Sequence, residues 1–287
     1  MLTFTYALNF LLMIAMPVAL GWFLARRFGL AWRLYIVGAI TFVLSQVFHI
    51  PFNAGLTLAF RNGLLPAPPS QYQLIFNAVV LGLSAGIFEE TARYLMLRFS
   101  LKEARSWRTA LMFGAGHGGV EAIILGLLAG LSFVNLSLIR QNPALLAALP
   151  AEQLALAQQQ VADYWSAPVV MSVLGAVERL FALGLHLSLA VLVMQVFLRG
   201  QLRWLFAAIA WHALGNAVTV VVLGRWGALA SEAALAVIAL LSLGLLFALR
   251  SPEPEPEPPP APPPLDPFAS PPHTKPTAEA LERSRFQ

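Results

Sequence analysis

The sequence predicts an all-α, polytopic integral membrane protein: a helical bundle of about seven transmembrane helices with a Pro-rich C-terminal tail. Three observations carry this expectation. Of 287 residues, 58% are hydrophobic and only 11% charged, against about 25% charged in an ordinary soluble domain. Mean hydropathy is +0.71. Several apolar runs exceed the roughly 20 residues that cross a hydrocarbon core, and each must be helical, because lipid offers no partner to backbone N–H and C=O groups.

The first span, Phe4–Ala25, has no basic segment ahead of it and is followed by Arg26 and Arg27. It is expected to be an uncleaved helix with its N-terminus outside rather than a signal peptide. The second, Leu34–Leu58, carries Gln46, His49 and Pro51; the proline is expected to kink it, and His49 reads as structural. Spans three and four, Leu74–Leu97 and Thr109–Ile139, hold several charged or titratable residues. The connection from Gln141 to Ala167 contains Pro143, Pro150 and a Glu152–Tyr164 segment with Leu154, Leu156, Val161 and Trp165. That segment reads either as a short interfacial helix on the outer face or as a solvated loop. Spans five to seven are Val169–Phe197, Leu202–Leu223 and Ala228–Leu249. From Ser251 the run SPEPEPEPPPAPPP excludes helix and sheet and predicts an extended, solvated tail. Residues 1–250 are thus expected to form one membrane domain and 251–287 a disordered cytoplasmic tail.

Loop charges set the orientation. Connections on one side hold Arg26, Arg27, Arg33, Arg98, Lys102, Arg105, Arg108, Arg199 and Arg203, nine in all; the other side holds three, Arg61, Arg140 and Arg225. The richer side is cytoplasmic, so the N-terminus lies outside and the C-terminus inside, in what is expected to be the plasma membrane. The same distribution explains the pI of 9.8 without nucleic acid as a partner. There is no cysteine, which excludes disulfides, thiolate nucleophiles and Cys-ligated metals.

A charged side chain at the bilayer centre costs about 2.5–3.5 kcal/mol even on insertion scales, so the polar residues inside the spans mark function. Span three carries Glu89, Glu90 and Arg93. Glu89 and Arg93, four apart, share a helical face and are expected to pair. Adjacent carboxylates in a low dielectric resist ionising together, which separates an acid from a base. Span four carries His117 and Glu121 on one face, within Gly114, Gly116, Gly118 and Gly119; such small residues bring another helix, or a substrate backbone, close to the imidazole. Span five carries Glu178, Arg179 and His186, and span six His212 and Asn216, again four apart. Counted from the cytoplasmic ends, Glu89, His117 and His212 each lie roughly 13 Å deep and His186 roughly 19 Å. Four helices therefore contribute to one layer. Glu178 falls about 12 Å further out and is expected to pair with Arg179.

Such a layer can activate water, with a glutamate as general base and a histidine plus Asn216 stabilising an oxyanion. A divalent metal such as zinc on His117, His186 and His212, with Glu89 as base, is the alternative, and the residues leave the choice open. The HExxH pattern is absent, and Asp163 is the only aspartate before the tail. A proton-coupled transporter or channel would also place Glu and His inside the membrane, but staggered through its thickness. A glycine-lined scaffold that binds transmembrane helices without catalysis is the third class.

The order Glu-Glu-x-x-Arg, Phe-x-x-x-His, a middle His and His-x-x-x-Asn resembles the glutamate-dependent intramembrane proteases, which include type II CAAX prenyl proteases. The wording GxGHGGxEAI at Gly114–Ile123, with Glu178 and His186, is most similar to the YhfC family of intramembrane proteases. The resemblance runs from about Leu74 to Val222. It implies that Glu89, Glu90, Arg93, His117, His212 and Asn216 carry catalysis, with Glu121, Glu178, Arg179 and His186 supporting them. The implied reaction is hydrolysis of a membrane-protein or membrane-bound peptide substrate. CAAX proteases carry Glu-Glu-x-x-x-Arg; here the arginine is one residue nearer, which rotates Arg93 by about 100° and leaves the carboxylate pair intact.

Overall fold

In the computed structural model, which describes residues 1–147 and 149–252, eight α-helices form, with no strand among the described residues. The Pro-rich segment beyond residue 252 lies outside them. The helices are α1 (Leu2–Phe28), α2 (Trp32–Arg61), α3 (Gln73–Phe99), α4 (Trp107–Gln141), α5 (Ala151–Ser166), α6 (Leu174–Arg199), α7 (Arg203–Trp226) and α8 (Ala228–Ala248). All except α5 are long and apolar enough to cross a membrane, giving seven spans. Each lies within a few residues of the span read from hydropathy.

The chain is a polytopic integral membrane bundle, and its packing is that of a protein in lipid. Phe23, Phe48, Val47, Leu240 and Phe247 are exposed on the outer faces of α1, α2 and α8. A water-soluble monomer does not keep so much apolar surface uncovered. Inside, α6 is the central helix and belongs to the most deeply buried of the spans. It packs on α4, α7 and α8, while α4 also packs on α1 and α2, and α3 lies along α7.

Local chemistry fixes the connections. A capping box opens α4: the Ser106 hydroxyl accepts from the Thr109 N–H at 3.2 Å, and the Thr109 hydroxyl accepts from the Ser106 N–H at 3.1 Å. Just before it, the Arg105 guanidinium donates to the carbonyls of Leu97 (2.8 Å) and Leu101 (2.7 Å) and so closes the C-terminal end of α3. Gly200, at φ 66°, ends α6 in the left-handed conformation that a Cβ would strain.

Pro51 lies inside α2, which continues to Arg61; membrane helices tolerate such a proline where neighbouring groups satisfy the freed backbone. The Glu152–Tyr164 segment is helical, as α5. The Tyr6 hydroxyl donates to the Tyr164 carbonyl at 2.7 Å, with the two rings stacked at 4.0 Å. Trp165 donates to the Leu136 carbonyl at 3.3 Å beneath the Arg140 guanidinium.

Candidate active site

Close helix crossings build the site. At Gly116 a Cβ would collide with the Tyr35 carbonyl of α2, and at Gly38 with the Phe113 carbonyl of α4. At Gly118 it would meet the His186 Cβ of α6 at 2.8 Å. The glycine cluster of α4 therefore brings two neighbouring helices against His117, which is fully buried. Gly82 and Gly86 do the same for α3 against the Ala213 and Ile209 carbonyls of α7, at 2.5 and 2.7 Å.

Glu89, Glu90, Arg93, His117, His186 and His212 are thereby brought together, and all are buried. Glu89 Oε2 bonds His117 Nε2 at 3.1 Å. Glu90 Oε1 bonds His212 Nδ1 at 2.7 Å. The ring centroids of His186 lie 5.5 Å from those of His117 and 5.7 Å from those of His212. The single layer expected from helical rise is present as a contiguous cluster.

The expected pairing of Arg93 needs correction. Its ion pair is with Glu90, at 3.5 Å, while Glu89 is engaged by His117. Arg93 also donates to His186, to its carbonyl at 3.0 Å and its Nδ1 at 2.7 Å. A guanidinium can only donate, so His186 Nδ1 accepts and the ring's proton sits on Nε2. That nitrogen faces Glu121 Oε2 at 2.7 Å. Glu121 in turn accepts from Arg179 at 2.7 Å, and Arg179 also pairs with Glu178. Glu121 thus serves His186 and Arg179, although helical spacing placed it beside His117.

A cavity of about 90 Å³ opens onto Glu89, His212, Asn216, His186, Glu121 and Glu178. One water needs roughly 10–15 Å³ on this measure, so several fit against the carboxylates. Asn216 lines it, one helical turn from His212. The cavity lies toward the α2–α3 and α4–α6 connections, where the Glu178 side chain is 41% exposed.

The metal-ligand set differs from the three histidines expected. Ligand-type atoms of Glu89, His117 and His186 all lie within 4.8 Å of one another, and His212 is not in this group. A carboxylate with two imidazoles is a donor set that catalytic zinc uses, and His117 Nδ1 is buried without a partner. The residues fit a divalent cation in kind and spacing, on one condition. Both ring nitrogens of His186 are engaged, so one of its bonds must be exchanged for the metal.

Sequence reasoning missed the part played by α2. Gln46 Nε2 donates to Glu89 Oε1 at 3.2 Å, and Gln46 Oε1 lies 3.2 Å from His49 Nδ1. The signal was present: Gln46, His49 and Asn53 are spaced three and four residues apart on one face of an otherwise apolar helix. Glu232 of α8 was also missed; one of its carboxylate oxygens is buried without a partner.

The profile of the YhfC intramembrane metalloprotease family matches residues 12–239. The chain belongs to the YhfC family. It is 30% identical over 217 residues to a Bacillus subtilis (strain 168) protein described as uncharacterized membrane protein YhfC, covering 75% of this chain and 81% of that one. No solved structure matches it. The family match takes in α1 and α2, which the motif resemblance did not reach, and so covers the helix that carries Gln46.

Proposed function

We propose that this YhfC-family protein is an intramembrane endopeptidase that hydrolyses peptide bonds of membrane-embedded or membrane-proximal substrates. One observation carries the reading: a buried carboxylate, Glu89, bonded to His117, faces a water-sized cavity that also presents His212 and Asn216. The family's description as an intramembrane metalloprotease supports the reaction class.

The chemistry follows from the positions. A water in the cavity gives a proton to Glu89 as its oxygen attacks the scissile carbonyl carbon. His117, bonded to the other side of that carboxylate, holds it toward the cavity. His212, as an imidazolium whose Nδ1–H is given to ionised Glu90, can present its Nε2–H to the carbonyl oxygen, and Asn216 can add an amide N–H. The proton held by Glu89 then passes to the leaving amine as the C–N bond breaks, so that one water is consumed. Glu89, His117 and His186 are the residues that would hold a divalent metal; it would polarise that water and the carbonyl, with Glu89 then serving as its ligand rather than as the free base.

A transmembrane proton relay accounts for the residues less well. Inward of Arg93, the core is filled by Leu97, Phe113, Leu189 and Val193, all buried and apolar. The polar cluster therefore stops short of the cytoplasmic ends of the helices.

The test is cleavage of a library of labelled transmembrane peptides by the full chain in detergent, beside Glu89→Gln. The wild type is expected to cleave and the variant to lose at least 100-fold, in line with removal of a general base. Equal cleavage by both would remove Glu89 as the base. Chelator sensitivity of the wild-type reaction separates the metal-assisted form from the metal-free one.

A further inference from the structure

The α2 face that meets Glu89 belongs to no motif considered above. Gln46, His49 and Asn53 form a hydrogen-bonded line with Ser84 of α3. Gln46 Nε2 lies 3.2 Å from Glu89 Oε1, and Gln46 Oε1 lies 3.2 Å from His49 Nδ1. His49 Nε2 meets Asn53 Nδ2 at 2.8 Å and Ser84 Oγ at 3.0 Å. Its ring also stacks on Phe88, the neighbour of Glu89 in the chain, with centroids 5.6 Å apart. At the far end Asn53 lines a cavity of about 330 Å³ together with Thr57, Gln73 and Asn77.

The donor and acceptor inventory gives this line a direction. A carboxylate acting as base accepts, so the Gln46 amide must turn its NH₂ to Glu89 and its carbonyl to His49. That carbonyl needs a donor, which places the His49 proton on Nδ1 and leaves Nε2 to accept from Asn53. The N–H groups of Asn53, His49 and Gln46 then run in sequence toward Glu89, an arrangement in which successive bonds polarise one another. With Gln46 on Oε1 and His117 on Oε2, both oxygens are held and the carboxylate plane is fixed.

We propose that Gln46 and His49 are positioning residues, a relay from α2 that fixes the rotamer of Glu89 for its task. The proposal rests on the reading of Glu89 as general base. A glutamine inside an otherwise apolar membrane span needs a polar partner, and Gln46 has it in Glu89.

The test uses the full chain and the best-cleaved peptide of the library. Gln46→Met keeps length and apolar packing but removes the donor. It is expected to lower kcat roughly 10- to 100-fold, as loss of an outer partner of a site residue does, with KM within about twofold and Tm maintained. His49→Leu should behave similarly, and His49→Gln, which restores a donor to the Gln46 carbonyl, should recover most of the loss. If Glu89→Gln is inactive while Gln46→Met turns over like wild type, the relay is overturned and the base stands. If Gln46→Met and His49→Leu lose activity only in step with Tm, and His49→Gln gives no recovery, the role is structural and the relay is likewise overturned. If Glu89→Gln cleaves like wild type, the base and the relay fall together.

Discussion

Arg93 is the residue on which the site turns. It is fully buried, it neutralises Glu90, and two of its N–H groups fix His186. Replacing it by methionine would leave Glu90 without its cation and His186 without its orienting donor. Breaking a buried pair by removing one member costs about 3–5 kcal/mol, so Arg93→Met is expected to lower Tm sharply, read by thermal unfolding in detergent. Arg93→Lys should not restore activity, because an ammonium lacks the planar fork that meets a carbonyl, a ring nitrogen and a carboxylate together. The sequence marked Glu89, Glu90 and Arg93 as polar residues inside a span, and the fold buries them together. Which carboxylate the arginine takes was not legible, since both i,i+3 and i,i+4 neighbours are within reach on a helix. The choice is made by His117 of α4, which occupies Glu89, and by His186 of α6, which draws the guanidinium toward Glu90.

At the scale of the element, the glycines of α4 decide how close the helices come. The sequence indicated a close approach at Gly114–Gly119 but not the partner, because periodicity describes one helix and not its neighbour. The partners are Tyr35 of α2 at Gly116 and His186 of α6 at Gly118. Gly116→Ala would drive a methyl into the Tyr35 carbonyl, and backbone yields less than a side chain. Overpacking of this kind costs about 1–3 kcal/mol; a fall in Tm together with loss of cleavage is expected, since α2 also carries Gln46. Gly244→Ala in α8 is the comparison. Nothing lies within 4 Å of its added Cβ, so Tm should hold or rise, the helix gaining up to about 1 kcal/mol in propensity. The α2 relay shows the limit of reading spans by hydropathy: Gln46 and His49 stood out as polar outliers, but their target sits on another helix.

For the whole molecule, the number and order of spans followed directly from apolar run length, because lipid enforces helices of one minimum size. Orientation depends on a different property, the nine-to-three asymmetry of basic residues between the two sets of connections, and it decides which compartment supplies the water. The cavity beside Glu89 reaches Glu178 near the start of α6 and Thr219 toward the end of α7, on the side of the basic-poor connections. The orientation expected from the charge asymmetry, N-terminus outside, predicts that this side is extracellular and that water for the proposed hydrolysis enters from there. The chain has no cysteine, so single introduced thiols report sidedness without background. In intact cells Ala167→Cys, in the α4–α6 connection, should react with a membrane-impermeant maleimide, and Gln201→Cys, between α6 and α7, should react only after permeabilisation. The reverse pattern would place the cavity on the cytoplasmic side and assign its water, and the flank of the substrate that reaches it, to the cell interior.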